Sequence, residues 1–245
     1  MTQSETWQAG PHLNIVMESS SENLRLEFND WAKAGRGEGM ERGHRPVGEQ
    51  ALQLMNVPRD ARVLDVGCGN GWATRLLAEK ARDGRVVGID IADEMVELAR
   101  ASSASFANVE FQVASAEQLP FNDAEFTVAF SMESLYYYAD IPKALREIRR
   151  VLKQGGLFVT VLDLYQENIP SHQWIDQLKV PVQLLGIADY HSLFEGAGFV
   201  NVRDQRLFDP APIPDDYDGG SFKTRADYLD YRRSGSLMLS GEVGR

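Results

Sequence analysis

The residues best suited to chemistry stand close together, in Arg62-Val-Leu-Asp-Val-Gly-Cys-Gly-Asn-Gly-Trp-Ala-Thr74. An apolar, β-branched run (Val63, Leu64, Val66) carries an acid, Asp65, and glycines follow at alternate positions, Gly67, Gly69 and Gly71. A helical pattern opens at once at Trp72. A strand that turns through glycines into a helix lets backbone amides approach a ligand closely, because no Cβ stands in the way. Dinucleotide loops want G-x-G-x-x-G, with the helix N-terminus facing a pyrophosphate. Here Trp72 occupies the place of the third glycine, which sets an NAD-linked reductase last among the candidates. The pattern is G-x-G-x-G with a carboxylate two residues upstream, and that suits an amine-bearing or cationic ligand. It points to S-adenosylmethionine.

The run Val63 to Gly71 resembles the D-x-G-x-G-x-G cofactor loop of the class I S-adenosylmethionine-dependent methyltransferases. The likeness extends from about Asp60 to Leu164 and takes in Val-Val-Gly-Ile-Asp90, Ala-Glu-Gln-Leu-Pro-Phe121 and Glu147-Ile-Arg-Arg-Val-Leu-Lys-Gln-Gly-Gly156. It is similar to the small-molecule branch that includes the ubiquinone and menaquinone biosynthesis methyltransferases. The resemblance implies S-adenosyl-L-methionine as cofactor, with Asp65, Gly67, Cys68, Gly69 and Gly71 forming its loop. Cys68 is the chain's one cysteine and reads as a small packing residue inside that loop rather than a nucleophile.

Asp90 ends a β-branched strand about 20 residues past the loop, where an acid can accept hydrogen bonds from both ribose hydroxyls. Capping of the next helix is its alternative role. Ile91 and Met95 are expected beside the adenine, with core packing equally open to Met95. Where the family usually has Gly-Asp-Ala, this chain has Ala114-Ser-Ala-Glu117. The Ser115 hydroxyl and the Ala116 amide are expected at the adenine edge. Glu117 stands beside them and also reads as a solvated first-turn acid. The fourth strand ends in Ser131-Met-Glu-Ser-Leu-Tyr-Tyr-Tyr138. Residues just past a carboxyl strand end line the ligand crevice of doubly wound folds. Ser131 and Met132 are therefore expected to flank the methionine part, and Glu133 and Tyr137 to touch the acceptor as the catalytic candidates. Of three consecutive tyrosines, at least one must pack inward.

Arg36, Arg42, His44 and Arg45 gather around a glycine-rich stretch, Gly35-Arg-Gly-Glu-Gly-Met-Glu-Arg-Gly-His44. Glycine-hinged segments with charged tips often serve as lids, and an Arg there can grip a carboxylate; a solvated surface loop is the plainer reading. His44 is also a candidate general base, although a lone histidine is more often structural or exposed. His172 and Trp174 follow the fifth strand and are candidates for the acceptor pocket or the surface. His191 and His12 read as incidental. No cysteine or histidine spacing resembles a metal site. Lys143, Arg146, Arg149, Arg150 and Lys153 read as the solvated face and basic end of one helix.

These residues need a frame to position them. The pattern predicts helices over about 21–34 and from Pro46, with the four glycines between them as a helix break. An alternating core follows: strand 62–67, helix 72–82, strand 85–90, helix 93–103 with Asp93 as N-cap, strands 109–113 and 126–131. Helix 141–153 comes next, stopped by Gly155-Gly156, and then strand 156–163. That alternation predicts an α/β fold with a doubly wound, mostly parallel sheet. A further helix over 189–197 and strands over 199–208 and 236–243 are expected to complete a seven-stranded sheet with a C-terminal antiparallel hairpin, as the resemblance implies. The expected organisation is a loose arm over 1–20, a helical cap or lid over 21–56 and a methyltransferase core over 57–245. Insertions are expected at 165–188 and 209–235. The glycine-rich segment 35–44 and the 209–235 insertion, with Tyr217, Phe222 and Tyr228 among its aromatics, are expected to close over the cofactor and shape the acceptor pocket. A long connection before the last strand is the plainer reading of 209–235.

Composition bounds the function. A chain of 245 residues holds a full core, and a net charge of −11 argues against nucleic acid, whose phosphates require clustered Lys and Arg. No signal-peptide pattern and no apolar run of about 18 residues is present, so the expectation is a cytoplasmic protein without a membrane span. The expected activity is methyl transfer to a small-molecule acceptor. A protein methyltransferase and an S-adenosylmethionine-binding regulator without transfer activity are the alternatives, and the acceptor itself is not encoded in any motif.

Overall fold

The structure, a computed structural model, describes residues 11–213, 215 and 222–244, with side chains from Ser21 onward. Two N-terminal helices, α1 (Pro11–Lys33) and α2 (Arg36–Leu54), precede an alternating core. The core runs β1 (Arg62–Val66), α3 (Trp72–Lys80), β2 (Arg85–Asp90), α4 (Asp93–Ser102), β3 (Val109–Val113), β4 (Phe126–Met132), α5 (Ile141–Val151) and β5 (Leu152–Leu162). It closes with α6 (Ile187–Gly196), β6 (Phe199–Leu207), α7 (Arg225–Ser234) and β7 (Ser236–Val243). Among the described residues no helix is long and apolar enough to cross a membrane.

The strands form one sheet in the order β3-β2-β1-β4-β5-β7-β6. β1 to β5 pair in parallel, and β7 lies antiparallel between β5 and β6. This is the doubly wound sheet that the sequence pattern predicts, with the terminal antiparallel pair that the resemblance implies. Successive side chains on a strand face opposite sides. Accordingly Val63, Val86, Val128 and Val159 pack against α2 and α3, while Leu64, Val87, Ala129 and Phe158 pack against α5 and α6. Strand order reverses between β1 and β4, and the crevice beyond their carboxyl ends is where such folds take ligands.

The largest departure from the sequence expectation lies in the N-terminal cap. Gly35 alone leaves the helical conformation, at φ 69°, and α2 then runs unbroken through Gly37, Gly39 and Gly43 and past Pro46. Glycine costs roughly 1 kcal/mol and proline roughly 3 in a helix interior. Burial of Val47, Leu52 and Met55, at roughly 1.5–3 kcal/mol each, offsets most of that. Gly37, and Gly48 further along the helix, act as spacers. A Cβ on Gly48 would run into the Trp72 ring, and one on Gly37 would already touch Asn70 at 3.5 Å. The helix thus lies directly on the glycine loop. The first helix likewise begins at Pro11 where a loose arm was expected through residue 20; residues 1–10 lie outside the described residues.

Two capping expectations also change. Ala92 is the N-cap of α4, and Asp93 is its first residue. The Asp93 carboxylate instead accepts from Arg25 at 2.7 Å and Asn29 at 2.8 Å, which ties α1 to α4. The helix α5 ends at Val151 before the two glycines, and β5 begins at Leu152 with a register shift opposite Phe126 and Val128. Arg150 is less solvated than its basic neighbours suggest. It bridges Asp123, Glu147 and the carbonyls of Leu119 and Phe121.

Candidate active site

The glycine loop follows from its backbone angles. Gly67, Gly69 and Gly71 sit at φ 75°, 52° and 77°, in the left-handed region that glycine adopts without strain. The amides of Gly67 and Cys68 both donate to the Ile89 carbonyl at 2.8 Å, which pins β1 to the end of β2. The three glycines meet different surroundings. A Cβ on Gly67 would lie 2.5 Å from Ser134 Cβ, and one on Gly71 2.8 Å from Phe111. A Cβ on Gly69 would meet nothing within 4 Å, because Gly69 faces an open cavity.

That cavity, about 750 Å³ in volume, occupies the crevice at the switch point, within the usual range for small-molecule sites. Asp65, Gly67, Cys68, Gly69, Asp90, Ile91, Met95, Ser115, Ala116, Glu117 and Met132 all line it. Asp90 is half-buried and its two carboxylate oxygens accept from the amides of Gly69 and Ala92, each at 2.9 Å. Burial raises its pKa, and the backbone bonds pull the other way. Asp65 is buried beneath the loop and accepts from Thr74 Oγ1 at 2.6 Å; desolvation lifts its pKa to about 7. The Cys68 thiol is buried and its pKa is driven up, which suits packing and not nucleophilic attack. Met95 is 1% exposed and also belongs to the small cluster that joins α1 to α4.

Two positions differ from expectation. Ser131 does not reach the cavity, since its hydroxyl is buried against Ser134 Oγ at 2.6 Å. Ser134 lines the cavity in its place, bonded to the Val66 carbonyl and to the Tyr138 hydroxyl. Gly71 lies at the base of the loop, against Phe111 and Ala99, and supports the turn without lining the cavity.

The far end of the cavity is built from distant parts of the chain. Glu133 stands just past β4 at φ 54°, a conformation costly for a residue with a side chain and concentrated at functional sites. Its carboxylate accepts from the Tyr136 hydroxyl at 2.7 Å and from the Asp163 amide at 2.5 Å. Burial first, then the neighbouring Asp163, push its pKa well above the ordinary carboxylate value. Tyr137 also lines the cavity and packs edge-on against Phe28 of α1. Tyr136 is the tyrosine that packs inward. Trp174, from the 3-10 turn Ile169–Gln177, meets Phe222 and Tyr231 to form an aromatic wall. Phe222 and Tyr228 line the cavity as expected of the 209–235 segment, and Tyr217 lies outside the described residues.

Of the basic cluster, Arg36, Arg42 and His44 reach the cavity, whereas Arg45 pairs with Glu41 and Glu49. His172 bonds the Tyr165 carbonyl and His191 pairs with Asp204, so neither enters the site. Asp163 is the functional candidate that sequence reasoning missed. Like Asp90, it is an acid ending an apolar β-branched run, here Val-Thr-Val-Leu-Asp163, and that signal could have marked it. It is 2% exposed and accepts from Tyr231 at 2.7 Å and from Ser236. His44, Glu133 and Asp163 bring one ligand-type atom each within 4.8 Å of one another. All four carboxylate oxygens of this group already accept protein hydrogen bonds, which turns it toward proton chemistry.

Comparison with known proteins identifies relatives of this fold. A family described as "Methyltransferase domain" matches residues 64–160. The demethylmenaquinone methyltransferase of Staphylococcus aureus is 29% identical over 190 residues, 65% of this chain and 76% of that protein. Among solved structures, a chain from the complex with the Haloferax volcanii Trm112 methyltransferase activator is 34% identical with a TM-score of 0.84, covering 89% of this chain and 98% of that one. A geranyl diphosphate C-methyltransferase from Streptomyces coelicolor, solved with S-adenosyl-L-homocysteine, shares the fold at 18% identity and a TM-score of 0.65, over 80% and 77% of the two chains.

Proposed function

The chain belongs to the class I S-adenosylmethionine-dependent methyltransferases, and we propose that it transfers the methyl group to a small, largely apolar molecule. The observation that carries this reading is one continuous cavity with two unlike ends. One end is the glycine loop with Asp90; the other is walled by Trp174, Phe222, Tyr228 and Tyr231. The donor site fits its cofactor, since open space faces Gly69 and an acid stands at the end of β2. In this reading Asp90 takes the ribose hydroxyls, Ser115 and Ala116 the adenine edge, and Met132 the methionine part. Glu133 and Tyr137 touch the acceptor, with Glu133 entering as a protonated acid able to donate a hydrogen bond. Helices α1 and α2 act as the cap over the core that begins at residue 57.

S-adenosylmethionine supplies an activated methyl group on sulfur. The protein's part is alignment and exclusion of water, which together are worth up to roughly 7–11 kcal/mol for well-oriented reactants. The likeness to a demethylmenaquinone methyltransferase supports an acceptor of this class. The acidic balance and the walled cavity disfavour nucleic acid and folded protein as acceptors. Methyl-labelled S-adenosylmethionine, incubated with the protein and a cell extract, should leave its label in a low-molecular-weight, solvent-extractable product. Label found in the protein or RNA fraction would overturn the reading. The likeness to a chain solved with the Trm112 methyltransferase activator supports a further part of it, an activator protein as partner. Co-purification of such a protein with the tagged chain tests that part.

A further inference from the structure

Ionisable groups from four elements gather at the cavity wall, with His44, Glu133 and Tyr231 lining it and Asp163 buried beside them. His44 comes from α2, Glu133 from the end of β4, Asp163 from the end of β5 and Tyr231 from α7. The sequence places His44 with care. Gly37, Glu41, His44 and Gly48 follow helical spacing along one stripe of α2. Gly37 rests on Asn70, Glu41 accepts from Asn70 at 3.2 Å, and Gly48 abuts Trp72. The stripe is therefore clamped to the cofactor loop, and His44 is held in the cavity between its fixed points. Among the described residues the imidazole has no hydrogen-bond partner; its Nε2 stands 3.9 Å from Asp163 Oδ2. Its side chain is 23% exposed, so it is half-buried yet open to the cavity.

We propose that His44 is the general base of the methyl transfer, with Asp163 as the residue that positions and stabilises it, and that the acceptor is an oxygen or carbon acid such as a phenol, an enol or a hydroquinone. This rests on the small-molecule reading above. A dedicated base is needed where the nucleophilic atom must lose a proton as it attacks, as a hydroxyl or an acidic ring carbon must. A neutral amine attacks through its own lone pair and can release its proton afterwards. The step balances as follows. The acceptor atom bonds to the methyl carbon, the methyl–sulfur bond breaks with its electron pair left on sulfur, and the acceptor's proton passes to the imidazole. The positive charge thus moves from sulfur to His44, beside the Asp163 carboxylate.

Burial lowers the His44 pKa and Asp163 opposes that shift, so the imidazole is neutral and competent near pH 7. The groups in contact with this cluster fit the role. Glu133 is pushed toward its neutral form, and Tyr231, with its pKa driven well up by burial and by Asp163, keeps its proton on the bond to Asp163. Arg36 and Arg42 line the same cavity, while Arg232 is held by Tyr228 and Asp209.

The test uses the full chain, labelled S-adenosylmethionine and the solvent-extractable acceptor pool of a cell extract. His44→Gln should lower turnover at least 100-fold while S-adenosylhomocysteine affinity, read by calorimetry, stays within twofold. In His44→Ala, added imidazole should restore part of the rate. Asp163→Asn should move the acid limb of the rate profile to lower pH, because the lost carboxylate no longer favours the imidazolium. A merely structural role would move neither the rescue nor the limb. Label transferred by wild type and His44→Gln at equal rates, with the same pH profile, would overturn the base and leave the small-molecule reading standing. Absence of any extractable labelled product with the wild-type chain would overturn that reading and this assignment with it.

Discussion

The two ends of the cavity are built by opposite strategies. At the cofactor end, most of the lining comes from one compact stretch, Asp65 to Met95, and its shape is fixed by strand ends and glycine dihedrals. At the proposed acceptor end, His44, Glu133, Trp174, Phe222 and Tyr231 line the cavity from five separate segments, with Asp163 of a sixth buried beside His44 and Glu133. A conserved-chemistry ligand suits the first arrangement, since local backbone geometry alone fixes the contacts. The second can be altered one segment at a time without disturbing the donor site, which is how one fold serves many acceptors.

The sharpest way to break this comparison is to strike one glycine. Gly69→Val places a side chain into the open donor space and is expected to weaken S-adenosylhomocysteine binding more than 100-fold, read by calorimetry. Because nothing else stands within 4 Å of that Cβ, the cost to the fold is limited to the positive φ, about 1–2 kcal/mol. Gly67→Val and Gly71→Val should instead destabilise the protein, since Ser134 and Phe111 block them. A loss of fold in Gly69→Val equal to theirs would erase the distinction.

Asp90→Ala is the next largest. Removing a partner from bound hydroxyls costs about 1–3 kcal/mol, so affinity for S-adenosylhomocysteine should fall some 5- to 150-fold in a folded protein. The carboxylate also holds the amides of Gly69 and Ala92, so the loop loosens with it. Unchanged affinity would leave Asp90 with the capping role alone. At the other end, Trp174→Ala should raise the KM for the acceptor about tenfold, the loss of one aromatic contact near 1.4 kcal/mol, with S-adenosylhomocysteine binding unmoved. A fall in cofactor affinity instead would show that the two ends are not separable.

The same contrast explains what was legible in the sequence. Strand and helix order, and the lining by Asp65, Gly69 and Asp90, follow from local signals: period-two apolar runs, glycine spacing and acids at strand ends; Ser115 was placed by the family resemblance alone. The acceptor end was read only in pieces, Glu133 and Tyr137 from their place after a strand, His44 as one option among several. What joins them to Asp163 and Tyr231 is a tertiary meeting with no sequence period. The cap was misread for a definite reason. The four glycines of 35–44 signal a break, but only Gly35 takes a left-handed turn; Gly37 rests on the glycine loop, and the burial of Val47, Leu52 and Met55 carries α2 through Gly39 and Gly43. Ser131 failed because adjacent strand residues face opposite ways, and Met132 took the cavity side.

The smallest expected effect tests whether Asp65 senses the ligand from below the loop. Its carboxyl is 1% exposed, bonded to Thr74 and lifted to a pKa of about 7 by desolvation, with Asp90 adding to the rise. The sign of the linkage follows. A carboxyl whose folded pKa lies above its unfolded value binds its proton more tightly in the folded chain, so its contribution to stability is present below about pH 4 and is lost as pH climbs through about 7. Near pH 7 that carboxyl is shared between its protonated and ionised forms. An ammonium group arriving at the loop favours the ionised carboxylate, so S-adenosylhomocysteine binding should release a fraction of a proton at pH 7 and tighten as pH rises from 6 to 8. Calorimetry in buffers of different ionisation enthalpy reads the proton directly. Asp65→Asn, which can still accept from Thr74, should abolish the release while costing only a few-fold in affinity at pH 7. Proton release that persists in Asp65→Asn would assign the titration to Asp90 and leave Asp65 as a support of the turn.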